Sequence, residues 1–393
     1  MVTGEVTCFF LFRESWTQDA QPGEVWAVAG LHVREGRVRD IWPVRPGLWQ
    51  LRVDVDGREE PALLYEALTP VPAVGDRVAL NTTAVDLGLG TGGMHFVIHV
   101  LGREGPGTGS AGHIVKLRYT PLQFAVLAAE EPASPHHDLL VQRDDLAGMP
   151  VVVAELHSQL PPAAAALRLA LGDDARIAYV MTDGGALPLA LSSVVDHLRQ
   201  AGLLDATVTV GHAFGGDLEA VNVFSGLLAA RWALAADAAI VAMGPGVVGT
   251  GTRFGTTAIE TGHHLDAADV LGGRAVAALR LSFADPRPRQ RGVSHHTLTA
   301  LGVVAQRPCW VALPRLAPEQ EQLVWEQLAG AGVPARHRLV VEDRGKSALD
   351  LLARRGVELR SMGRTPEEDA APFLAAAAAG FVAADLLLAS RTP

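Results

Sequence analysis

The period of the apolar residues constrains this chain more than any other feature, because it changes partway along. From Glu5 to about Tyr119 the sequence is a series of short β-rich runs, VTCFFLF, VWAVAGLHV, LWQLRVDVD, RVALNTTAV and HFVIHVL. Turn signals such as Glu35-Gly36, Asp56-Gly57 and Pro72-Ala73-Val74-Gly75-Asp76 separate them, which predicts an all-β unit, a small barrel or a sandwich. After about Asp145 short apolar strands alternate with helix-length segments. That rhythm predicts an α/β unit with a mainly parallel sheet flanked by helices. Strands are expected at 150–156, 175–181, 206–210, 238–243, 274–281, 309–313 and 337–341, with amphipathic helices at 187–200, 218–234 and 318–329. The resulting division is a β-rich domain over residues 1–120, a linker or boundary over 121–149, and an α/β domain over 150–393. There is no internal repeat.

A chain of 393 residues is long enough for about two domains, each with its own core. With 49% hydrophobic and 19% charged residues it belongs with ordinary globular proteins. The net charge of −10 argues against a nucleic-acid partner, which would call for clustered basic residues. Cys8 and Cys309 are too far apart in sequence for a CxxC metal cluster or a disulfide framework, and a reducing cytoplasm is expected. No signal peptide is expected, since Arg13 and Glu14 interrupt the first apolar run. The alanine-rich stretch 373–389 carries Asp385 and falls short of the ~20 residues a bilayer requires, so it is expected to be a packed C-terminal helix with no membrane partner.

In open α/β sheets ligands bind beyond the carboxyl ends of the strands. There the sequence places His157-Ser158-Gln159, Thr182-Asp183-Gly184-Gly185, Gly211-His212, a glycine-rich segment from Gly244 onward, and Ser282-Phe283-Ala284-Asp285. The expectation is one shared cleft. The glycine segment, GPGVVGTGTRFG, offers Gly244, Gly246, Gly249, Thr250, Gly251, Thr252 and Arg253 as main-chain amides, hydroxyls and a guanidinium around an anion. Its alternative is a tight strand-to-helix turn. It contains G-x-G-x-x-G, but no acidic residue ends a strand about 20 positions on, so a dinucleotide site is not inferred, and no Gly-Lys-Ser or Gly-Lys-Thr follows to make a P-loop.

Asp285-Pro286-Arg287-Pro288-Arg289-Gln290-Arg291 is the second signal. If the prolines hold it extended, Arg287, Arg289 and Arg291 share one side as an anion clamp; otherwise they are solvated loop arginines. Ser294 is then suited to cap a helix that opens with His295 and His296, either of which can serve as acid or base. His157, Asp183, His212 and Asp285 complete the cleft as orienting groups, or as metal ligands, although no metal-site spacing supports the latter. Asp217, Glu219 and Asn222 read as helix-start residues. Ser158 lacks the G-x-S-x-G elbow of serine hydrolases.

The strings VVAELHSQLPP, GPGVVGTGTRFGTTAIE and DPRPRQRGVSHHT resemble an uncharacterised bacterial family, domain of unknown function 3866, met in actinobacteria and related Gram-positive lineages. The resemblance covers most of the chain. It implies a cytosolic setting but no activity, substrate or cofactor. The residues themselves suggest an enzyme acting on a small anionic or phosphorylated molecule. A non-catalytic metabolite sensor or scaffold, or a metal-dependent hydrolase, are the alternatives.

Overall fold

A computed structural model describes residues 30–88, 93–105 and 112–391. The strand expected at residues 6–12, most of that at 25–33, Cys8, and the middles of the glycine-rich segments 87–93 and 102–112 lie outside the described residues.

Five strands close into a barrel: β1 (Val33–Arg45), β2 (Leu48–Val55), β3 (Arg58–Tyr65), β4 (Arg77–Asn81) and β5 (His95–Val100), in the order β1-β2-β3-β5-β4. Alternate residues point inward, so Val38, Leu51, Val53, Leu64, Val78, Leu80, Val97 and Val100 fill its centre. The sequence pattern misses β1, whose arginines and Glu35 lie on the solvent side, and β3, which opens on Arg58-Glu59-Glu60. A short antiparallel pair, β6 (Ile114–Lys116) and β7 (Phe124–Val126), follows.

The remaining chain builds an eight-stranded sheet. Its strands are β8 (Pro150–Ala154), β9 (Ile177–Thr182), β10 (Ala206–Val210), β11 (Leu218–Ala220), β12 (Ala238–Met243), β13 (Arg274–Ala278), β16 (Trp310–Pro314) and β17 (Arg338–Glu342). A small hairpin, β14 (Leu281–Ser282) with β15 (Gly292–Val293), projects after β13. All neighbours in the sheet run parallel, in the order β11-β10-β9-β12-β8-β13-β16-β17. Every residue of β8, β9, β10 and β12 is buried, as parallel strands covered on both faces must be. All seven expected strands exist. The exception to the reading is β11, which lies in sequence expected to be helical.

One face of the sheet is covered by the helices Leu160–Leu171, Ser193–Gln200, Gly345–Arg354 and Ala371–Arg391. The other is covered by Val223–Leu228, Glu260–Val270, the turns after His295, and Pro318–Gly330. The chain leaves β8 toward the first face and β13 toward the second. Strand order reverses around β8, which makes its carboxyl end the topological switch point.

The C-terminal helix is long and apolar enough by composition to cross a membrane, with mean hydropathy 1.9, but 67% of that stretch is buried inside the protein. It packs against Leu160–Leu171 so closely that a Cβ on Gly380 would lie 2.4 Å from the Ala163 carbonyl oxygen, and this explains its alanine-rich sequence. The barrel meets the α/β region through Arg45, which donates to the carbonyls of Ala190 and Leu191 at 3.1 and 2.8 Å, and through Leu48, Leu63 and Tyr65 packed near the same two residues.

Candidate active site

Beyond the switch point a buried polar group assembles from three segments. Glu155 follows β8 and is 2% exposed. Its Oε1 accepts from Arg280 Nη1 at 2.8 Å and its Oε2 from Thr297 Oγ1 at 2.6 Å. His296 Nδ1 lies 3.4 Å from both Glu155 Oε1 and Arg280 Nη1, and 3.5 Å from Thr256 Oγ1. The hairpin β14–β15 makes this meeting possible: it throws residues 283–291 outward and returns Ser294 beside Arg280, whose carbonyl accepts from Ser294 N at 2.9 Å. Ser294 caps the turn through the His296 amide at 3.2 Å, as its position before the histidines suggests. Gln159 braces the group, accepting from the amides of Glu155 and Leu156 and donating to the Leu279 carbonyl at 3.0 Å.

Burial pushes the Glu155 carboxyl up, but the His296 imidazole, the Arg280 charge and the Thr297 hydroxyl outweigh it and hold the group below the ordinary glutamate range. It is a carboxylate facing one nitrogen of a histidine. The other nitrogen, His296 Nε2, is buried with no hydrogen-bond partner, and so is His295 Nε2. The two rings are 4.0 Å apart. Gln290 Oε1 is a third such atom, so three of the seven unpartnered buried side-chain atoms among the described residues fall within one short segment. Each such group costs about 1–3 kcal/mol unless something satisfies it. Burial, then the neighbouring His296 and Arg289, lower the pKa of His295, which favours a neutral imidazole.

The glycine segment lies against the His296 ring. A Cβ on Gly249 would lie 3.3 Å from His296 Cε1 and 3.6 Å from Nε2, and one on Gly251 3.7 Å from the Arg289 guanidinium carbon. The segment, whose composition suggests an anion cradle, turns part of its backbone on itself. It folds as a hairpin-like finger in which Thr250 N and Oγ1 both donate to the Gly255 carbonyl, Gly255 N donates to Thr252 Oγ1, and Val248 N to Thr257 Oγ1. Of the residues expected to hold an anion, Thr250 thus has its amide engaged within the finger, and Arg253 is exposed, stacked beside Phe254. Gly244 answers a different need: a Cβ there would sit 2.2 Å from the Ala186 carbonyl oxygen, where the turns after β9 and β12 touch. Gly246 adopts φ +97°, which favours glycine.

Other expected site residues lie elsewhere. Pro288–Gln290 is a 3-10 turn, so Arg287, Arg289 and Arg291 do not share one side of an extended ribbon. Arg287 pairs with Asp285 through Nε at 2.9 Å and Nη2 at 2.7 Å, and Arg364 Nη2 approaches the same carboxylate at 3.3 Å. The Arg287 hydrogen bond holds Asp285 far below the usual carboxylate range against the effect of burial, and the pair acts as an anchor for the loop. Arg291 is exposed.

Asp183 and His212 form a separate group over β9 and β10, with Asp183 Oδ2 accepting from the His212 amide at 2.9 Å. His212 Nδ1 accepts from Leu117 N, and its Nε2 lies 3.0 Å from Arg118 Nη2. Beside them Glu260 receives the Thr182 hydroxyl at 2.6 Å. Burial, reinforced by Asp183 and partly offset by Thr182, pushes Glu260 from its ordinary 4.5 to about 7. β10 stands four strand spacings from β13, about 19 Å at 4.8 Å each, so one small molecule does not span His212 and Arg280. The expectation of a single cleft is therefore corrected to two groups. His157 belongs to neither: it is buried between Tyr179 OH at 3.1 Å, the Met243 carbonyl and Ser192 Oγ at 2.6 Å. No group of three or more His, Cys, Asp or Glu residues among the described residues has the arrangement of a metal site.

Sequence reading missed Glu155, Arg280 and Thr297. The first two fall inside strands drawn too long, since β8 ends at Ala154 and β13 at Ala278. A charged residue within an otherwise apolar strand buried on both faces was the available signal.

Taken together these features define an α/β protein with a barrel appended at its N-terminal side and a buried carboxylate–histidine pair at the switch point. A family model described as a protein of unknown function, DUF3866, matches residues 61–380, and the chain belongs to that family. No curated protein and no solved structure matches it.

Proposed function

We propose that this chain is an enzyme acting on a small anionic molecule at the β8/β13 switch point, with His296 as the acid–base group. The observation that carries this reading is the His296 imidazole itself, with Nδ1 toward a buried carboxylate and Nε2 unpartnered. In this reading the Nδ1 proton is turned to Glu155, which leaves Nε2 as the proton acceptor and strengthens it in that role. His295 Nε2 adds a second neutral hydrogen-bonding atom, and Arg289 supplies positive charge at the rim. The finger carrying Gly249 and Gly251 lifts to admit the ligand and closes to exclude water. Neither nucleic acid nor a membrane is a partner in this reading. The free, buried Cys309 thiol suits a reducing cytoplasm.

The test is a thermal-shift screen of phosphate monoesters and small carboxylates, followed by turnover assays on the hits. His296→Gln is expected to lower turnover on the identified substrate by about 100-fold or more, the usual scale of general acid–base help. Full turnover in both His296→Gln and His295→Gln removes the acid–base assignment.

A further inference from the structure

A second site lies on the other side of the same glycine segment. A cavity of about 540 Å³ opens beside the carboxyl ends of β8 and β12, and its walls include His157, Ser192, Ser193, Val194, Val247 and Met362. In it Ser192 Oγ and His157 Nε2 are 2.6 Å apart. His157 Nδ1 is held at its far side by Tyr179 OH at 3.1 Å and the Met243 carbonyl at 3.3 Å. Tyr179 can donate its own proton to the Ala242 or Met243 carbonyl, at 3.2 and 3.1 Å. The proton of His157 then sits on Nδ1, and Nε2 is the acceptor that faces the serine hydroxyl.

We propose that Ser192 is a nucleophile activated by His157, and that this cavity hydrolyses carboxylic esters with a short apolar acyl group. Serine and base meet within hydrogen-bond reach, and the base is oriented by further groups, which is the arrangement an activated serine requires. Ser192 also caps the Ser193–Gln200 helix, its Oγ accepting from the Val195 amide at 3.0 Å. A hydroxyl can accept that bond while donating to His157, and the accepted N–H stabilises negative charge growing on the oxygen. The amides of Ser193 and Val194 open the same helix and have no intrahelical acceptor, so they are available to a carbonyl oxygen in the cavity. Leu156, Leu191 and Val194 give the acyl group an apolar wall.

The chemistry closes without a cofactor. Ser192 Oγ bonds to the ester carbonyl carbon as its proton passes to His157 Nε2. The C–O bond to the alcohol then breaks, and the alcohol leaves with that proton. Water repeats the sequence on the acyl-serine and releases the carboxylic acid. Tyr179 is a positioning residue. Burial, only partly offset by the Met243 carbonyl, pushes the His157 pKa down to about 4, so the base remains unprotonated well into mild acid.

A fluorophosphonate probe tests this on the full chain, because an activated serine displaces fluoride and gains a phosphonyl group that peptide mass analysis locates. The expected result is a single adduct on Ser192, absent in Ser192→Ala, kept in Ser158→Ala and Ser193→Ala, and formed at a similar rate from pH 8 to pH 5. Hydrolysis of p-nitrophenyl butyrate is expected to fall at least 100-fold in Ser192→Ala. The folded wild-type protein is itself decisive, whatever the variants do for folding. No adduct on Ser192, or one no faster than on urea-unfolded chain, overturns the proposal, as does equal labelling of Ser158 and Ser193. An undiminished labelling rate in His157→Gln overturns His157 as the base.

Discussion

Two buried glutamates, Glu155 beyond β8 and Glu260 beside β9, have opposite electrostatic fates. Glu155 is met by a guanidinium, a hydroxyl and an imidazole, and stays ionised below its ordinary range. Glu260 is met by one hydroxyl and lies near the Asp183 charge, and it is pushed up to about 7. Their histidines differ in the same way: His212 has partners at both ring nitrogens, whereas His296 keeps Nε2 open. Residue type does not separate the two regions. What separates them is the company each side chain keeps: of these two groups, it is the β8/β13 one that combines a fixed carboxylate with an unused nitrogen.

Removing the carboxylate from the first group is the strongest way to break this contrast. Glu155→Ala leaves Arg280 buried without its counter-ion and is expected to cost about 3–5 kcal/mol in urea denaturation. Asp183→Ala, which removes an exposed carboxylate bonded to one amide, is expected to cost only about 1 kcal/mol. Comparable losses in the two variants would erase the distinction.

The pH dependence sharpens it, because the two glutamates act with opposite sign. A carboxyl held below its ordinary range stabilises the native state above its unfolded pKa and loses that contribution as pH falls through its folded pKa, so Glu155 favours folding at neutral pH and not in strong acid. Glu260 does the reverse: with its folded pKa raised from 4.5 to about 7, its ionisation works against folding as pH rises through that window. Glu260→Gln should therefore gain about 1–2 kcal/mol of stability at pH 8, after allowance for solvent screening, and the gain should vanish near pH 4. A gain of the same size at both pH values contradicts the account.

The smallest stability effect belongs to Arg289→Ala. An exposed guanidinium beside Gly251 contributes little to folding, so the melting curve is expected to shift by less than about 0.5 kcal/mol. Its effect should appear as weaker binding of the anionic substrate, with KM raised and kcat little changed. An unchanged KM detaches Arg289 from the site.

The architecture was legible in the sequence, and the site was legible only in part. All seven expected strands form because apolar runs between helix-length segments have few other ways to bury themselves. β11 was hidden because Leu218-Glu219-Ala220 leads straight into a helix and carries no strand signal of its own. His295 and His296 stood out as residues at a capped turn. Asp285 and Arg287 stood out equally, yet they pair with each other, and nothing in their spacing reveals that. The glycine segment shows the limit most plainly: composition announced an unusual backbone, but whether its amides face a ligand or their own chain depends on the bridge between Gly249 and Thr256, a tertiary fact.

Nitrogen-15 NMR of histidine-labelled protein at pH 7.5 reads the tautomer of His296, on which its role as acid–base group rests. The expected tautomer carries its proton on Nδ1, toward Glu155, and that preference is lost in Glu155→Gln. A proton resident on Nε2, with Nδ1 bare beside the carboxylate, would contradict it.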